Sequence, residues 1–563
     1  MSGLFDVGHV PFSTFGSWTT VSRARGSGPL ALRSVHGRGD RLFRIAFVTG
    51  GGDVEPEVEA GPTSLVLTSG GVRAEACFDG PDTLRMRGAG GAVRFSGEKI
   101  HAYSNGPGLA VFNCTNVWRR YQFEAIRGNL ELEGAYSAGE VGDNSAAQAI
   151  TVSPGEDGTW ELAIDEFWST WGRPERRGFD ACMEAARADF AEFHSSMPPA
   201  PEELARAHEL ASYVNYSACV SPVGNVKRPS LLMSKNWMNN VWSWDQCFNA
   251  MALAGGQPEL AMDQMLTLVD HQDRFGAYPD NFNDYNIQYN FSKPPVHGMA
   301  FKEMLRRFPE PPPAETVATM YESLSCQADW WMTHRRLEGA RLPYYLHGND
   351  SGWDNSTMFA SGVPLVSPDL SALLIVQMDV LAELAEGMGK QGEAAKWKAR
   401  ANDLQSALME DLWQGDHFVA RAGTEGKIVE SRSLIPWLAI ILGDRLPEDV
   451  RAALKTGIEG HLTEWGLATE RVESPDYIED GYWRGPIWAP STYIAVAGLD
   501  RSGFGELADT IAERFSRLCD KSGFAENFNA VTGEPLRDKA YTWTSSVFLL
   551  LAERMHDRQA PPA

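Results

Sequence analysis

The pattern of apolar and polar residues changes near residue 175 and divides the chain into two parts. From about Leu30 to Thr170, apolar and polar positions roughly alternate in short runs, as in Arg41 to Val48. Gly, Asn, Asp and Pro interrupt these runs about every ten residues, the spacing of an antiparallel β-sandwich. Further strands are predicted at these segments: Thr83 to Arg87, Gly108 to Phe112, Tyr121 to Ile126, Leu130 to Leu132 and Trp160 to Ile164.

From Phe179 onward the apolar residues follow the spacing of amphipathic helices. Phe179 to Phe193 is predicted to be a linker helix, and roughly twelve helical segments follow it. The clearest are Glu202 to Tyr213, Trp242 to Ala254, Pro258 to His271, Ala314 to Arg335, Pro368 to Glu386, Gly392 to Leu412, Ser431 to Ile441, Glu448 to Glu459, Pro490 to Gly498, Gly503 to Leu518 and Tyr541 to Glu553.

Long, aromatic-rich connections on alternate joints favour six helical hairpins closed in a ring, an (α/α)6 toroid. An open helical solenoid has similar periodicity, but the chain has no repeating sequence unit to support it. We therefore predict a multidomain β + α protein. Its parts are an N-terminal antiparallel β-sandwich (1–175), a linker helix (176–200) and an (α/α)6-barrel catalytic domain (201–563).

Composition excludes several classes of protein. The net charge of −24 repels phosphate backbones, so nucleic acid is not an expected partner. Met1 to Val21 lacks the features of a signal peptide, and no apolar run approaches a membrane span, so a cytoplasmic protein without membrane contact is predicted. The seven cysteines form no CxxC pair and the twelve histidines are scattered. We expect no cofactor and no catalytic metal, although a structural calcium ion held by loop carboxylates stays open.

Two short segments carry the candidate catalytic chemistry, Gly348 to Ser356 and Gly523 to Asn529. Each places a carboxylate among aromatic and amide side chains. Glycosidic bond cleavage requires two carboxyl groups flanking the bond, and Asp354 and Glu526 are our candidates. Asp350 is the alternative acid, although a loop-supporting role suits it better. Glu534 is the alternative to Glu526 and fits a solvated turn better.

Sugar rings have apolar faces edged by hydroxyls, so a sugar site needs aromatic platforms and polar hydrogen-bonding side chains. The long connections supply these candidates for substrate binding: Trp242, Trp244, Asp245, Asn281, Trp353, Arg484 and Trp488. Each has an alternative. The tryptophans, Trp483 included, could instead form the core of the toroid, Asp245 could cap a helix, and Arg484 could pair with Asp480. His297 suits a structural role better than a catalytic one.

Four motifs in order resemble the catalytic domain of glycoside hydrolase family 63, a family related to trehalases. They are Trp244-Asp245, Ser351 to Ser356, Tyr482 to Trp488 and Glu526 to Phe528. The resemblance covers roughly residues 205 to 555. It implies an inverting mechanism on α-linked glucosides or similar sugars, with Asp354 as general acid and Glu526 as general base. One departure is Thr357, where many relatives have proline, and this leaves specificity open.

The predicted function is therefore an inverting glycosidase that acts on a small oligosaccharide or glycoside. Aromatic surroundings are expected to hold Asp354 protonated, since desolvation raises a carboxyl pKa, while Glu526 stays ionised. Two rival classes remain open. One is another carbohydrate-active enzyme on the same toroid, such as a phosphorylase, lyase or epimerase, and the other is a non-catalytic sugar-binding protein. The oligomeric state is not encoded in any motif.

Overall fold

The computed structural model describes residues 4–23, 26–50, 52–97, 100–134 and 148–559. Its N-terminal part consists of two antiparallel sheets. The strands in chain order are β1 (Thr19–Arg23), β2 (Leu30–Ser34), β3 (Asp40–Thr49), β4 (Gly52–Val54), β5 (Glu57–Ala60), β6 (Leu65–Ser69), β7 (Val72–Phe78), β8 (Thr83–Ala89), β9 (Ala92–Gly97), β10 (Ile100–Gly106), β11 (Leu109–Cys114), β12 (Arg119–Arg127), β13 (Asn129–Glu133), β14 (Gln148–Ser153) and β15 (Thr159–Phe167).

One sheet has the order β1-β2-β3-β9-β14-β13, with β4 paired to β3, and the other has the order β10-β11-β12-β15-β8-β7-β6-β5. The two sheets pack face to face because alternate residues of each strand are apolar. Phe43 of the first sheet meets Phe112 and Phe123 of the second edge to face, with ring centroids 4.9 and 5.3 Å apart. The predicted β-sandwich and the predicted strands are confirmed.

The helices follow the sandwich. They are α1 (Phe179–Ser195), α2 (Ala205–Ala218), α3 (Asp245–Leu253), α4 (Pro258–Val269), α5 (His297–Arg307), α6 (Ala314–His334), α7 (Gly348–Ser351), α8 (Pro368–Gly387), α9 (Gln391–Leu412), α10 (Glu448–Glu459), α11 (Ala489–Arg501), α12 (Gly505–Ser522) and α13 (Thr542–Gln559). Shorter 3₁₀ turns lie at Glu202–Leu204 and Thr357–Phe359, and a longer 3₁₀ segment spans Ile435–Arg445.

Contacts between the helices close a ring. Among the described residues, α3 contacts α5, and the chain of contacts continues through α8, the 3₁₀ segment Ile435–Arg445, α11 and α13 back to α3. The helices α2, α4, α6, α9, α10 and α12 pack outside this inner ring. The predicted (α/α)6 toroid is confirmed, whereas the limits of the domains stay a prediction.

Polar side chains join the first and last parts of the toroid. Ser546 donates from Oγ to Oδ1 of Asn249 over 2.8 Å, and Ser545 donates to Oδ1 of Asn215 over 2.6 Å. These groups are fully buried, and buried polar groups are costly unless they are paired. The pairs therefore favour one register of α13 against α2 and α3.

The predicted helix at Ser431 to Ile441 begins later than expected. The segment instead becomes a 3₁₀ run at Ile435–Arg445, with Pro436 in its first turn. Proline has no backbone N–H to donate and restricts the residue before it, so it fits the start of a helix and not its interior. The helix α5 is not among the helices predicted from the sequence.

A buried ionic cluster joins the sandwich to the toroid. His36 Nε2 lies 2.7 Å from Oε1 of Glu166, and His36 Nδ1 lies 2.7 Å from Oδ2 of Asp284, a toroid residue. Burial alone would lower the pKa of His36, but the two carboxylates outweigh it and raise this pKa. Burial likewise opposes the charge of Glu166, yet His36 and hydrogen bonds from Thr19 and Tyr121 lower its pKa to about 2. The imidazolium therefore bridges carboxylates of the two parts of the chain.

No helix among the described residues is long and apolar enough to cross a bilayer. The cytoplasmic location stays a prediction.

Candidate active site

A cavity of about 260 Å³ contains most of the predicted site residues. Segments that precede or begin the inner helices α3, α5, α8, α11 and α13 supply its walls. The lining residues are Met238, Trp242, Trp244, Asp245, Asp280, Asn281, Gln288, Phe291, Lys293, Asn349, Gly352, Asp354, Tyr482, Trp483, Tyr541 and Trp543. The ring thus brings loops that are distant in sequence to one place.

The Asp354 loop owes its shape to Gly352. This glycine ends α7 in the left-handed conformation, with φ of +74°, which side chains other than glycine rarely adopt. A Cβ atom at this position would lie 2.4 Å from the ring of Trp244. The loop can therefore pass close to the indole and place Asp354 at the cavity. Burial, followed by the negative charge of Asp280, raises the pKa of Asp354 against the attraction of Lys293.

Asn355 ties this loop to the segment that carries Tyr482. Its Nδ2 donates to the carbonyl of Gly481 over 3.0 Å, and its Oδ1 accepts from the backbone N–H of Trp483 over 2.9 Å. Tyr482 itself has a φ of +63°, a conformation that costs free energy and persists where its surroundings fix it. Both bonds flank this strained residue and hold its phenol against the cavity.

Glu526 lies behind the cavity wall, 4% exposed, and its carboxylate accepts a hydrogen bond from the hydroxyl of Tyr482. The negative charges of Glu526 and Asp354 both contribute to raising the pKa of Tyr482, after its burial. The phenol therefore lies within electrostatic reach of both candidate catalytic carboxyls.

The surroundings of Glu526 oppose its expected ionisation at neutral pH. Burial, together with the negative charge of Asp538, raises the pKa of Glu526 to about 8. The hydrogen bond from Tyr482 and the charge of Arg537 lower it only in part. Sequence motifs identified the carboxyl but not the desolvation that surrounds it.

Asp245, Asp280 and Lys293 form a charged floor. Lys293 Nζ lies 2.8 Å from Oδ1 of Asp280 and donates to the carbonyl of Asn349 over 2.7 Å. The Oδ2 atom of Asp245 is buried and has no hydrogen-bond partner among the described residues. Burial, with further contributions from Asp280 and Asp354, raises the pKa of Asp245 well above its usual range. An unpaired buried oxygen in a cavity wall is suited to a ligand hydroxyl.

The predicted tryptophans separate into two groups. Trp242 and Trp244 line the cavity, as does Trp483. Trp488 stacks on Trp483 with ring centroids 3.9 Å apart and an interplanar angle of 7°, and Trp353 packs against Trp483 at 4.6 Å. Trp353 and Trp488 are thus outside the cavity lining and support Trp483 from the core.

Arg484 is not among the lining residues. Its Nη2 donates to Oδ1 of Asp476 over 3.2 Å. The alternative pairing with Asp480 is also wrong, because Asp480 pairs with Arg537 at 2.7 Å. Asn281, in contrast, lines the cavity as expected and donates to Oδ2 of Asp280 over 3.0 Å.

The alternative candidates for catalytic residues do not line the cavity. Asp350 is buried, with Oδ1 accepting from the Ser292 N–H and Oδ2 paired to Arg335 at 2.9 Å. Glu534 is exposed. His297 is buried, its Nδ1 lies 3.0 Å from Nε2 of Gln327, and burial lowers its pKa to about 3. These placements fit supporting or surface roles.

The departure at Thr357 also lies away from the cavity lining. Its hydroxyl donates to Oε2 of Glu470 over 2.7 Å. This buried bond is a contact that proline could not make.

Sequence reasoning missed several lining residues. Tyr541 and Trp543 were assigned only to the last helix, and Phe291 and Gln288 to no site. The Tyr-Thr-Trp sequence at the start of α13 is the signal that could have found the first two, because the other loops also place aromatic residues before inner helices.

Among the residues that the structure describes, no cluster of three His, Cys, Asp or Glu side chains is placed to hold a metal ion. The possible calcium ion therefore has no candidate ligand set in this part of the chain.

A toroid whose aromatic cavity contains Asp354, with the buried Glu526 beside its wall, is the arrangement expected of a glycoside hydrolase. The family model of the mannosylglycerate hydrolase MGH1-like glycoside hydrolase domain matches residues 238–544. The chain belongs to this family, and the resemblance to glycoside hydrolase family 63 is confirmed. It is a glycosidase.

Three comparisons extend this assignment. A mannosylglycerate hydrolase of Rubrobacter radiotolerans is 24% identical over 400 residues, covering 55% of this chain and 89% of that protein. The crystal structure of a GH63 mannosylglycerate hydrolase from Thermus thermophilus in complex with Tris has a TM-score of 0.52 at 18% identity, covering 62% of this chain and 98% of that one. A bacterial glucoamylase complexed with acarbose has a TM-score of 0.64 at 11% identity, covering 98% of this chain and 94% of that one. The last shows that the sandwich and the toroid share one architecture with another enzyme.

Proposed function

We propose that this protein is an inverting glycosidase that cleaves α-linked glucosides or similar small α-glycosides. The observation that carries the proposal is that Asp354 lines a cavity walled by tryptophans, while the buried Glu526 interacts with Tyr482 of the same wall. Two carboxyl groups beside one sugar-sized cavity are what glycosidic bond cleavage requires. The mannosylglycerate hydrolases among the relatives support a small glycoside as substrate.

In the proposed mechanism, Asp354 donates a proton to the glycosidic oxygen as the bond breaks. Glu526 removes a proton from the water that attacks the opposite face of the sugar. For inversion, we expect the two carboxyl groups to lie about 6.5–9.5 Å apart, which leaves room for that water. Asp245 accepts hydrogen bonds from sugar hydroxyls through its unpaired Oδ2 atom.

The raised pKa of Glu526 has a kinetic consequence. A general base with a pKa of about 8 is mostly protonated at pH 7, so deprotonation of Glu526 contributes one limb of the kcat/KM profile near pH 8, and the protonation of Asp354 supplies the other. If the roles were exchanged, Glu526 would be a proton donor that already holds its proton at neutral pH. The motifs support Asp354 as the acid. The two assignments are distinguished by comparing substrates whose leaving group needs a donated proton with substrates whose leaving group does not.

The decisive experiment has two parts, a substrate panel and a pair of variants. Proton NMR follows the wild type with a panel of trehalose, kojibiose, nigerose, glucosylglycerate and mannosylglycerate. For the sugar whose anomeric carbon is attacked, early release as the β-anomer supports inversion and early release as the α-anomer refutes it. Trehalose releases one glucose of each anomer by inversion and two α-glucose molecules by retention. A product that requires added phosphate would indicate a phosphorylase, an unsaturated product a lyase, and binding without turnover a sugar-binding protein.

The variants Asp354→Asn and Glu526→Gln are then compared on glycosides and on α-glucosyl and α-mannosyl fluoride. Each substitution should lower turnover of glycosides by roughly 100- to 10,000-fold. Fluoride leaves without a donated proton, so Asp354→Asn should retain far more activity on the fluoride than Glu526→Gln. The reverse order would exchange the two roles, and near-native turnover of a glycoside by either variant would refute its catalytic assignment.

A further inference from the structure

A second cleft adjoins the catalytic cavity between the sandwich and the toroid. Its volume is about 730 Å³, within the range of about 300–1,000 Å³ typical of ligand pockets. Sandwich residues 36–40 and 116–118 form one side, and toroid residues 237–240 and 283–288 supply the other. Gln288 lines both this cleft and the catalytic cavity, so a ligand can extend from one into the other.

The surface of the cleft carries the chemistry of a sugar site. Trp118, Trp237 and Tyr285 are 69%, 39% and 46% exposed, although aromatic rings of this size are usually more buried. Between them lie the side-chain amides of these residues: Asn116, Asn239, Asn240, Asn283 and Asn286. The aromatic faces match the apolar face of a sugar ring. Hydrogen bonds within the protein hold Asn239, Asn240 and Asn283, so Asn116 and Asn286 are the amides of this set that can meet its hydroxyl edges.

Trp118 is held in an unfavourable conformation. Its φ is +54°, which is uncommon for a bulky residue. The guanidinium of Arg119 donates to the Trp118 carbonyl over 2.9 Å, and the Tyr285 hydroxyl donates to the Val117 carbonyl over 2.9 Å. A strained residue whose surroundings hold an indole toward solvent is a candidate for a functional role.

The cleft is also fixed across the domain junction. Gly37 donates its N–H to Oδ1 of Asp284, the residue that pairs with His36, over 2.8 Å. From the Gly37 carbonyl, side-chain hydrogen bonds run through Asn283 (2.9 Å) and Asn240 (2.9 Å) to Asn281 (2.8 Å), which lines the catalytic cavity. The sandwich side of the cleft is therefore connected to the catalytic wall by a continuous set of bonds.

The one lysine of the described cavity lining is not free to bind an acidic leaving group. The catalytic cavity contains Asp245, Asp280 and Asp354 but one cation, Lys293, among its described lining residues. The ammonium of Lys293 is already engaged by Asp280. In the cleft, Arg38 is accompanied by Asp40. A carboxylate on the leaving group would therefore have to displace Asp280 from Lys293 to gain an ion pair in the cavity.

From these observations we propose that the cleft binds the leaving-group sugar of a neutral di- or oligosaccharide. The inference rests on the proposed glycosidase function and deepens it, because it names the class of substrate. The family match begins at residue 238, after the sandwich residues that form one side of the cleft. The proposed leaving-group site therefore needs the sandwich as well as the matched domain.

The test compares a disaccharide with a substrate that lacks a leaving-group sugar. Trp118→Gly removes the indole and suits the left-handed backbone, and Trp118→Phe keeps an aromatic face. Tyr103→Ala is the control, because Tyr103 is an exposed aromatic residue of the sandwich outside the cleft. The kcat/KM values are measured for α-glucosyl fluoride, the disaccharide turned over fastest, and glucosylglycerate.

We expect Trp118→Gly to lower kcat/KM for the disaccharide by roughly tenfold more than for the fluoride. Trp118→Phe should recover most of this difference, and Tyr103→Ala should leave the ratio unchanged. Equal effects of Trp118→Gly on both substrates would overturn the inference, as would a wild type that prefers glucosylglycerate to every disaccharide. In both cases hydrolysis of the fluoride would leave the proposed function standing. Failure to hydrolyse any of the substrates would instead refute the proposed function and the inference with it.

Discussion

Replacing Tyr482 by phenylalanine tests whether Glu526 controls the pH dependence of the enzyme. The substitution keeps the ring, whose centroid lies 4.9 Å from that of Trp488, and removes the hydroxyl that donates to Glu526. That hydrogen bond favours the charged carboxylate and lowers its pKa. Without it, the pKa of Glu526 should rise above about 8.

The size of the effect follows from the energy of the bond. A hydrogen bond to a charged group contributes about 1.5–3 kcal/mol, and one pKa unit corresponds to about 1.4 kcal/mol. Loss of the hydroxyl should therefore move the pKa of Glu526 from about 8 to roughly 9 or 10. If Glu526 is the general base, its deprotonated fraction at pH 7 falls by roughly 10- to 100-fold, and kcat/KM falls with it.

The assay is the pH profile of kcat/KM between pH 5 and pH 10, which brackets the pKa of about 8 of Glu526 and its expected rise. Tyr477→Phe is the matched control, because Tyr477 belongs to the same segment but does not line the cavity. An unchanged profile in Tyr482→Phe, or a limb moved to lower pH, would refute the reasoning. A limb moved to higher pH without loss of activity at pH 7 would identify Glu526 as the acid.

Two further substitutions test the framework of the site. His36→Leu removes the imidazolium between two buried carboxylates and should lower the free energy of unfolding by about 3–5 kcal/mol. The pKa of His36 is raised in the folded state. The contribution of His36 to stability is therefore complete below about pH 6.5 and is lost as pH rises through the folded-state pKa. Thermal melts at pH 6 and pH 9 should thus show the larger loss at pH 6, with His417→Leu as an exposed control, and equal losses would contradict the charged bridge. Gly352→Ala should lower turnover of the fluoride at least about tenfold, because its Cβ meets Trp244. The control Gly362→Ala, also at positive φ but in open space, should not lower it. Equal activities of the two variants would contradict the close-packing argument.

The spacing of apolar residues was sufficient to predict most helices and strands of the fold. The alternation in Arg41 to Val48 and the helical spacing in Ala314 to Arg335 both follow from one buried face, so the local pattern carries the information. Ser431 to Ile441 is an exception, since Pro436 at an internal position favours a later start. Strands such as β5, with four residues, are too short for alternation to identify.

The candidate site was predictable where a motif fixed both residue type and position. Asp354, Asp245 and Trp244 line the cavity, whereas Trp353 and Trp488 support it from behind. Sequence cannot separate these cases, because a sugar platform and a core ring have the same composition. A tryptophan lines the cavity or supports Trp483 from the core according to the tertiary packing around it.

Contacts between residues far apart in the chain raise the pKa of Glu526. Contacts of the same kind fix the position of the sandwich against the toroid. Both depend on groups far apart in the chain: Asp538 and Tyr482 set the electrostatics of Glu526, and His36 meets Asp284 across the domain junction. Closure of the helical ring brings the first pair together, and the buried imidazolium fixes the second. A motif can therefore name a catalytic carboxyl, but its protonation state and the extent of its substrate site are determined by long-range contacts. These two properties decide how the enzyme works and what it cleaves, so they are the ones that the Tyr482 and Trp118 substitutions address.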